Sequence, residues 1–253
     1  MNFNDFFPEN EKPLDHLPAD GGFCNIFRTF ACVGDSLSSG EFQIPKEDKW
    51  GYYDMFEYSW GQYMARTLGS KVYNFSRGGM SAKRYMDTFG EENGFWNPEL
   101  KCQAYIVALG VNDVFNSHQE IGSVADLTDD WRDHAETFAG YYGALVQRYR
   151  EIAPGAKFFF VAPPRDPVCD PDGKGKEITE FLYDLAEKFS DSYVIDLYHY
   201  APVYDEAFRD KFFLHGHMNP MGYSLTAKMM MSYIDYIIRH NHKDFDHLGF
   251  LPH

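Results

Sequence analysis

The sequence predicts a three-layer α/β/α sandwich built on a mostly parallel five-stranded sheet. Three observations predict it. Short runs of β-branched, aromatic and other apolar residues recur five times along the chain. Segments with helical spacing or helix punctuation separate them. The third run, Gln103-Ala104-Tyr105-Ile106-Val107-Ala108-Leu109, is almost continuously apolar, as strands buried on both faces are.

In order, residues 1–26 carry Pro8, Pro13, Pro18 and the Gly21-Gly22 pair without helical or strand period, so they read as an extended arm. Phe6 and Phe7 offer that arm an anchor on its own core or on a neighbouring subunit, which makes a homo-oligomer conceivable. The main domain then spans 27–240, and a His-containing tail covers 241–253. The first strand is Phe27-Arg28-Thr29-Phe30-Ala31-Cys32-Val33. Residues 41–53 read as a loop. Trp60, Met64 and Leu68 recur at four-residue spacing ahead of Gly69, giving a helix over roughly 55–68. Lys71-Val72-Tyr73-Asn74-Phe75 is the second strand, and a helix follows over about 81–89.

After the third strand, the acidic stretch 124–130 reads as the opening of a long helix, because negative charge is favoured at a helix N-terminus. Phe138, Tyr141, Tyr142, Leu145 and Tyr149 lie on that helix, which ends before Pro154-Gly155. Lys157-Phe158-Phe159-Phe160-Val161-Ala162 is the fourth strand. A helix over about 176–189 leads to the fifth, Tyr193-Val194-Ile195-Asp196-Leu197. Asn219 and Pro220 have the side chain and fixed φ that begin a helix, and Leu225, Met229, Tyr233 and Ile237 then share one face. The Met229-Met230-Met231 run reads as core filling rather than as a cofactor or metal site.

Composition narrows the function. The 253 residues carry a formal charge of −15, which argues against a sequence-independent grip on nucleic acid phosphates. No stretch approaches the ~20 apolar residues of a membrane span. Met1 to Glu9 lack the basic and apolar regions of a secretory signal. Cys24, Cys32, Cys102 and Cys169 are scattered without a Cys-x-x-Cys, which points to reduced thiols and a cytoplasmic location.

The chemistry gathers at Val33-Gly34-Asp35-Ser36-Leu37-Ser38, a serine at the carboxyl end of the first strand, where open α/β sheets hold their ligands. Three further stretches follow in order: Asn74-Phe75-Ser76-Arg77-Gly78-Gly79, Ala108-Leu109-Gly110-Val111-Asn112-Asp113, and His217-Met218-Asn219-Pro220-Met221-Gly222-Tyr223. Together the four resemble the blocks of the SGNH (GDSL-type) serine hydrolases, over most of the chain from Phe27 to about His240.

The resemblance implies a cofactor-free ester hydrolase that works through an acyl-enzyme on Ser36, with His217 as general base. It implies oxyanion donors on Ser36, Gly79 and Asn112, with Gly78 as a substitute for Gly79. It also exposes a departure. The family's aspartate lies three residues before the histidine, and this chain has Leu214 there. Asp210 is the first choice for the missing acid, with Asp196 or a backbone carbonyl as alternatives. His215-Gly216-His217 has the spacing of a metal half-site, yet no third ligand stands at a diagnostic distance, so no metal is expected and His215 reads as a pocket residue. Trp50, Tyr52 and Arg77 complete the expected substrate-binding set. Asp35 and Asp113 read as turn-fixing residues, and Arg165 as a surface cation.

The expected substrate is a small ester, such as an acetyl group on a carbohydrate. Lysophospholipase or thioesterase activity is the alternative within the family. A catalytically inactive binding protein on the same fold is a second class, prompted by the missing aspartate. A flavodoxin-like nucleotide binder is a third, opposed by the absence of a glycine-rich phosphate cradle after the first strand.

Overall fold

A computed structural model describes residue 8 and residues 10–248. The five expected strands all form, and they are accompanied by two short hairpins. Strand β1 (Thr29–Gly34) leads into one helical turn, α1 (Ser36–Ser39), and then into β2 (Glu41–Lys46) and β3 (Lys49–Asp54). Helix α2 (Trp60–Leu68), strand β4 (Lys71–Ser76), and the short helices α3 (Ala82–Arg84) and α4 (Gly90–Glu92) follow, the last two joined by a π-helical turn. Next come β5 (Ala104–Ala108), α5 (Phe138–Ile152), β6 (Lys157–Ala162), α6 (Lys174–Lys188) and β7 (Ser192–Asp196). The chain ends through α7 (Leu197–Tyr200), α8 (Glu206–Phe212), the hairpin β8 (Phe213–Leu214) and β9 (His217–Met218), and α9 (Pro220–His240).

The sheet runs β4-β1-β5-β6-β7 with every pair parallel. Side chains alternate across it, which is why the strands are apolar throughout. Phe158 and Phe160 enter one core with Tyr142, Leu145, Ile178 and Leu182 of α5 and α6. Phe159 and Val161 enter the opposite core with Trp60 and Met64 of α2 and the apolar face of α9. The Met229–Met231 run is buried in that second core, as its reading as filler requires.

The helix punctuation holds at both ends of the chain. Gly69 closes α2 in the left-handed conformation, and the Asn219 side chain accepts from Gly222 N–H at the start of α9. Three expectations change. Residues 41–54 form the β2–β3 hairpin rather than a loop, because Phe42 buries against Tyr58 and Tyr223 and the strands pair from Glu41↔Asp54 to Lys46↔Lys49. The long helix starts at Phe138, capped by Thr137, while 124–126 and 131–133 are single 3₁₀ turns. Local capping wins there: Ser123 and Asp126 close a capping box on themselves, which satisfies the acidic segment without a continuous helix. The segment 206–212, unassigned from sequence, is α8.

Phe6 and Phe7, the suggested anchors, lie outside the described residues. The described part of the arm is held on its own domain. Glu11 pairs with Arg239, and Arg239 Nε meets Asp235 Oδ2 at 2.9 Å. A 3₁₀ turn at Gly22–Ile26 brings Phe23 N–H to Asp235 Oδ1 at 2.7 Å. All four cysteines are unpaired, and no helix among the described residues is long and apolar enough to cross a membrane.

Phe160 is fully buried on the inner strand β6 and contacts Tyr142 edge-on. Phe160→Ala should therefore cost about 3–5 kcal/mol in urea-unfolding free energy, whereas Phe→Ala at the 40 % exposed Phe23 should cost far less.

Candidate active site

The position of Ser36 is set by a sharp strand-to-helix transition. Asp35 caps α1 by accepting Leu37 N–H at 3.1 Å, and its own carbonyl takes the Ser38 and Ser39 amides. Ser36 is thus the first helical residue, whose N–H has no intrahelical acceptor. There is no room for a side chain at Gly34, where a Cβ would lie 2.1 Å from Ser38 Oγ and 2.9 Å from the Ala108 carbonyl.

Two further loops leave the sheet beside it. After β4, Met80 N–H closes a turn on the Arg77 carbonyl with Gly79 at φ +69°. A Cβ at Gly79 would meet nothing within 4 Å, so its backbone stands open to the cavity, whereas a Cβ at Gly78 would strike Glu41. That separates the two glycines: the backbone at Gly79 is open, and Gly78 is the surface against which Glu41 packs. After β5, Asn112 Nδ2 donates to the Met80 carbonyl at 3.0 Å, and its Oδ1 accepts from Asn116 at 2.8 Å. Because the carbonyl can only accept, the amide orientation is fixed, with Nδ2 toward Met80 and Oδ1 toward Asn116. Asp113 is fully buried and accepts Ala82 N–H at 2.8 Å. It therefore caps the helix after the glycine loop rather than the segment that follows it in sequence, and locks two site loops together.

Ser36, Gly79, Asn112 and His217 line one cavity of about 660 Å³, together with Glu41, Tyr52, Pro163, Pro164 and Tyr204. A larger acidic cavity of about 1050 Å³ adjoins it through Phe115, Val168 and Cys169, but contains none of these four residues. A small apolar recess of about 70 Å³ adjoins the first cavity through Leu37, Val111 and Pro163 but is not lined by Ser36.

His217 lies on β9, paired with Leu214 across the β8–β9 hairpin. Its Nε2 is 3.0 Å from Glu41 Oε1, and its Nδ1 is 3.5 Å from Gln43 Oε1. Tyr52 faces the ring edge-on at 5.9 Å. Asp210 is not at this ring: it lies on the exposed side of α8, so the expectation that it orients His217 finds no contact here. Asp196 is likewise elsewhere, capping α7 and meeting Tyr183 at 2.9 Å and His199 Nδ1 at 2.8 Å.

Of the expected substrate-binding residues, Tyr52 lines the cavity. Trp50 stacks on His215 at 4.1 Å, forming a wall outside the cavity lining, and Arg77 points to solvent. His215 Nδ1–H donates to Gln43 Oε1 at 3.1 Å. Among the described residues no group of three or more His, Cys, Asp or Glu side chains is placed to hold a metal ion. Glu41 and Gln43 are the residues missed from sequence. The signal was the alternation Glu41-Phe42-Gln43, apolar only at its centre, facing the aromatic run Trp50-Gly51-Tyr52-Tyr53 across a Glu47-Asp48 turn.

Burial pushes the Asp35 carboxyl up to about 7, opposed by the Leu37 N–H and reinforced by the nearby Asp113. Burial likewise pushes Asp113 up to about 6, against several backbone donors. A carboxyl raised above its unfolded value stabilises the fold while protonated in both states, and that contribution is lost as pH rises through the folded pKa. Asp35→Asn keeps a capping oxygen and cannot ionise. Its melting temperature relative to wild type should rise between pH 4 and pH 8; a constant difference across that range would contradict the raised pKa.

Comparison with known proteins agrees with this architecture. The profile of the GDSL-like lipase/acylhydrolase family matches residues 32–225. A search of curated proteins finds no match. Among solved structures, a carbohydrate acetylesterase from Sinorhizobium meliloti superposes with a TM-score of 0.54 at 17 % identity, covering 83 % of this chain and 99 % of that one. A family two carbohydrate esterase from Clostridium thermocellum, in complex with cellohexaose, has a TM-score of 0.58 at 16 % identity, covering 83 % of this chain and 64 % of that one. A family two carbohydrate esterase with a carbohydrate-binding domain from Corynascus thermopiles (Myceliophthora fergusii) gives 0.58 at 14 %, covering 83 % and 66 %. At these identities the superpositions speak for the fold, and the profile match over most of the chain speaks for the lineage. The chain belongs to the GDSL-like lipase/acylhydrolase family, the SGNH-type hydrolases.

Proposed function

We propose that the protein is a serine esterase that removes a small acyl group, such as acetyl, from a carbohydrate or similar small ester. The observation that carries this reading is the single cavity shared by Ser36, Gly79, Asn112 and His217. In this mechanism Ser36 Oγ attacks the ester carbonyl while His217 Nε2 takes the hydroxyl proton. The developing oxyanion is met by the N–H groups of Ser36 and Gly79 and by Asn112 Nδ2. The C–O bond to the alcohol then breaks as the imidazolium returns its proton to the leaving oxygen. Water, deprotonated by the same ring, repeats the sequence on the acyl-enzyme and frees the acid. No cofactor takes part in these steps.

Two features support a small acyl group. The apolar recess that adjoins the cavity through Leu37, Val111 and Pro163 is only about 70 Å³, room for no more than a short chain. The structural neighbours named above include an acetylesterase and carbohydrate esterases. A second reading, a binding protein on this fold, draws on the pairing of His217 Nε2 with Glu41. Unliganded hydrolases often hold catalytic groups in looser contacts that tighten with substrate, so this pairing does not displace the esterase reading.

A fluorophosphonate probe separates the two. Labelling should occur on Ser36 and vanish in Ser36→Ala and His217→Ala; folded wild-type protein that stays unlabelled would leave the binding reading standing. Asn112→Ala should lower kcat by about 10²–10³-fold, the usual cost of losing one oxyanion donor. On p-nitrophenyl esters, kcat/KM should fall steeply beyond short acyl chains, and a preference for long chains would instead favour the lysophospholipase or thioesterase alternative.

A further inference from the structure

We propose that Gln43 is the positioning residue for His217, its neutral amide oxygen standing where the family uses a carboxylate. The proposal rests on the esterase reading above. Strand β2 alternates, so Phe42 enters the core while Glu41 and Gln43 share the opposite face, toward the β8–β9 hairpin. Gln43 is only 5 % exposed. Its Oε1 takes the Gly216 backbone N–H at 2.9 Å, His215 Nδ1 at 3.1 Å and His217 Nδ1 at 3.5 Å, while its Nε2 donates to the Tyr52 hydroxyl at 3.0 Å.

The Gly216 amide settles which end of the Gln43 side chain is oxygen, because a backbone N–H can only donate. An amide oxygen can only accept, so the His217 nitrogen facing it must carry a hydrogen. Gln43 thus favours a hydrogen on Nδ1, and Nε2 becomes the free basic nitrogen once the Glu41 carboxylate, which also only accepts and lies 3.0 Å away, moves off it; that is the arrangement a triad carboxylate otherwise enforces. The 3.5 Å contact is long, as catalytic contacts are before substrate binds, but the two shorter bonds already hold the acceptor in place. Leu214, at the family's aspartate position, is 42 % exposed and cannot serve.

The consequence is a base whose inner nitrogen faces a neutral group. The charged and titratable groups that do face the ring are Glu41 from β2, His215 from the same hairpin, Tyr52 from β3, and Asp35 beside the nucleophile. Glu41 meets Nε2, the nitrogen that must accept the Ser36 proton, so it cannot act as the orienting acid in the same arrangement.

The test is a pH profile on three proteins, with fluorophosphonate labelling and circular dichroism on each. Gln43→Leu should lower kcat at least about 30-fold with KM within about threefold, since tautomer control is among the costlier losses in such enzymes. Gln43→Glu keeps an acceptor for Gly216 and His217, so it should fold, recover most of that loss, and move the acid limb of kcat/KM up by about one pH unit. Gln43→Leu within threefold of wild-type kcat would overturn the proposal. So would a Gln43→Glu variant whose acid limb coincides with wild type, which would mean that Gln43 merely braces the hairpin. Wild-type protein that never labels at Ser36 overturns the esterase reading itself, a result distinct from labelled wild type with indifferent Gln43 variants.

Discussion

The register of β1 between β4 and β5 is the constraint on which the site depends. Gly34 lies opposite Ser76 on one side and Ala108 on the other, so three loops leave the sheet at one level. Ser36 follows by two residues, the open Gly79 by three and Asn112 by four. Parallel strands make this possible because their carboxyl ends fall on the same edge, and the strand order changes direction at β1, which opens a crevice there. A one-residue slip of β4 would invert its faces and carry Gly79 away from Ser36.

The loops are then tied to one another by polar bonds as well as by the apolar core that Met80, Ala82 and Val114 share. Asn112 to Met80 and Asp113 to Ala82 join the β5 loop to the β4 loop, and each bond uses a backbone group that would otherwise be unpaired. The ionisable groups so buried are costly. Asp35 and Asp113 both sit well above the ordinary carboxylate range because burial disfavours their charge. This fold tolerates that cost at the positions where loop geometry decides whether Ser36, Gly79 and Asn112 converge on one cavity.

The histidine is supplied by a different route. It lies on a two-residue strand far along the chain, and what holds it is the β2–β3 hairpin, an excursion between the nucleophile and α2. Tyr223 on α9 fixes the start of that hairpin through the Glu41 carbonyl, and Ser39 binds Asp54 at its far end. The hairpin therefore bridges the nucleophile turn and the histidine hairpin, with Glu41 and Gln43 facing the ring and Trp50 stacked on His215.

The sequence by itself determined the five strands, the helix end at Gly69 and the helix start at Asn219, and it singled out Ser36, Gly79, Asn112 and His217, which the fold brings to one cavity. These are written in local signals: apolar runs, caps, and short blocks whose residues act through their own backbone or a neighbouring side chain. Tertiary structure alone decided what meets His217. Asp210 was favoured because it is near in sequence, yet α8 turns it to solvent, while Gln43, 174 residues away, is brought to the ring. No local pattern records such a pairing, since it arises only when β2 and β9 pack side by side. The β2–β3 hairpin hid for a related reason: Glu41, Gln43 and Lys46 read as loop residues until the burial of Phe42 fixes which face of the strand points inward.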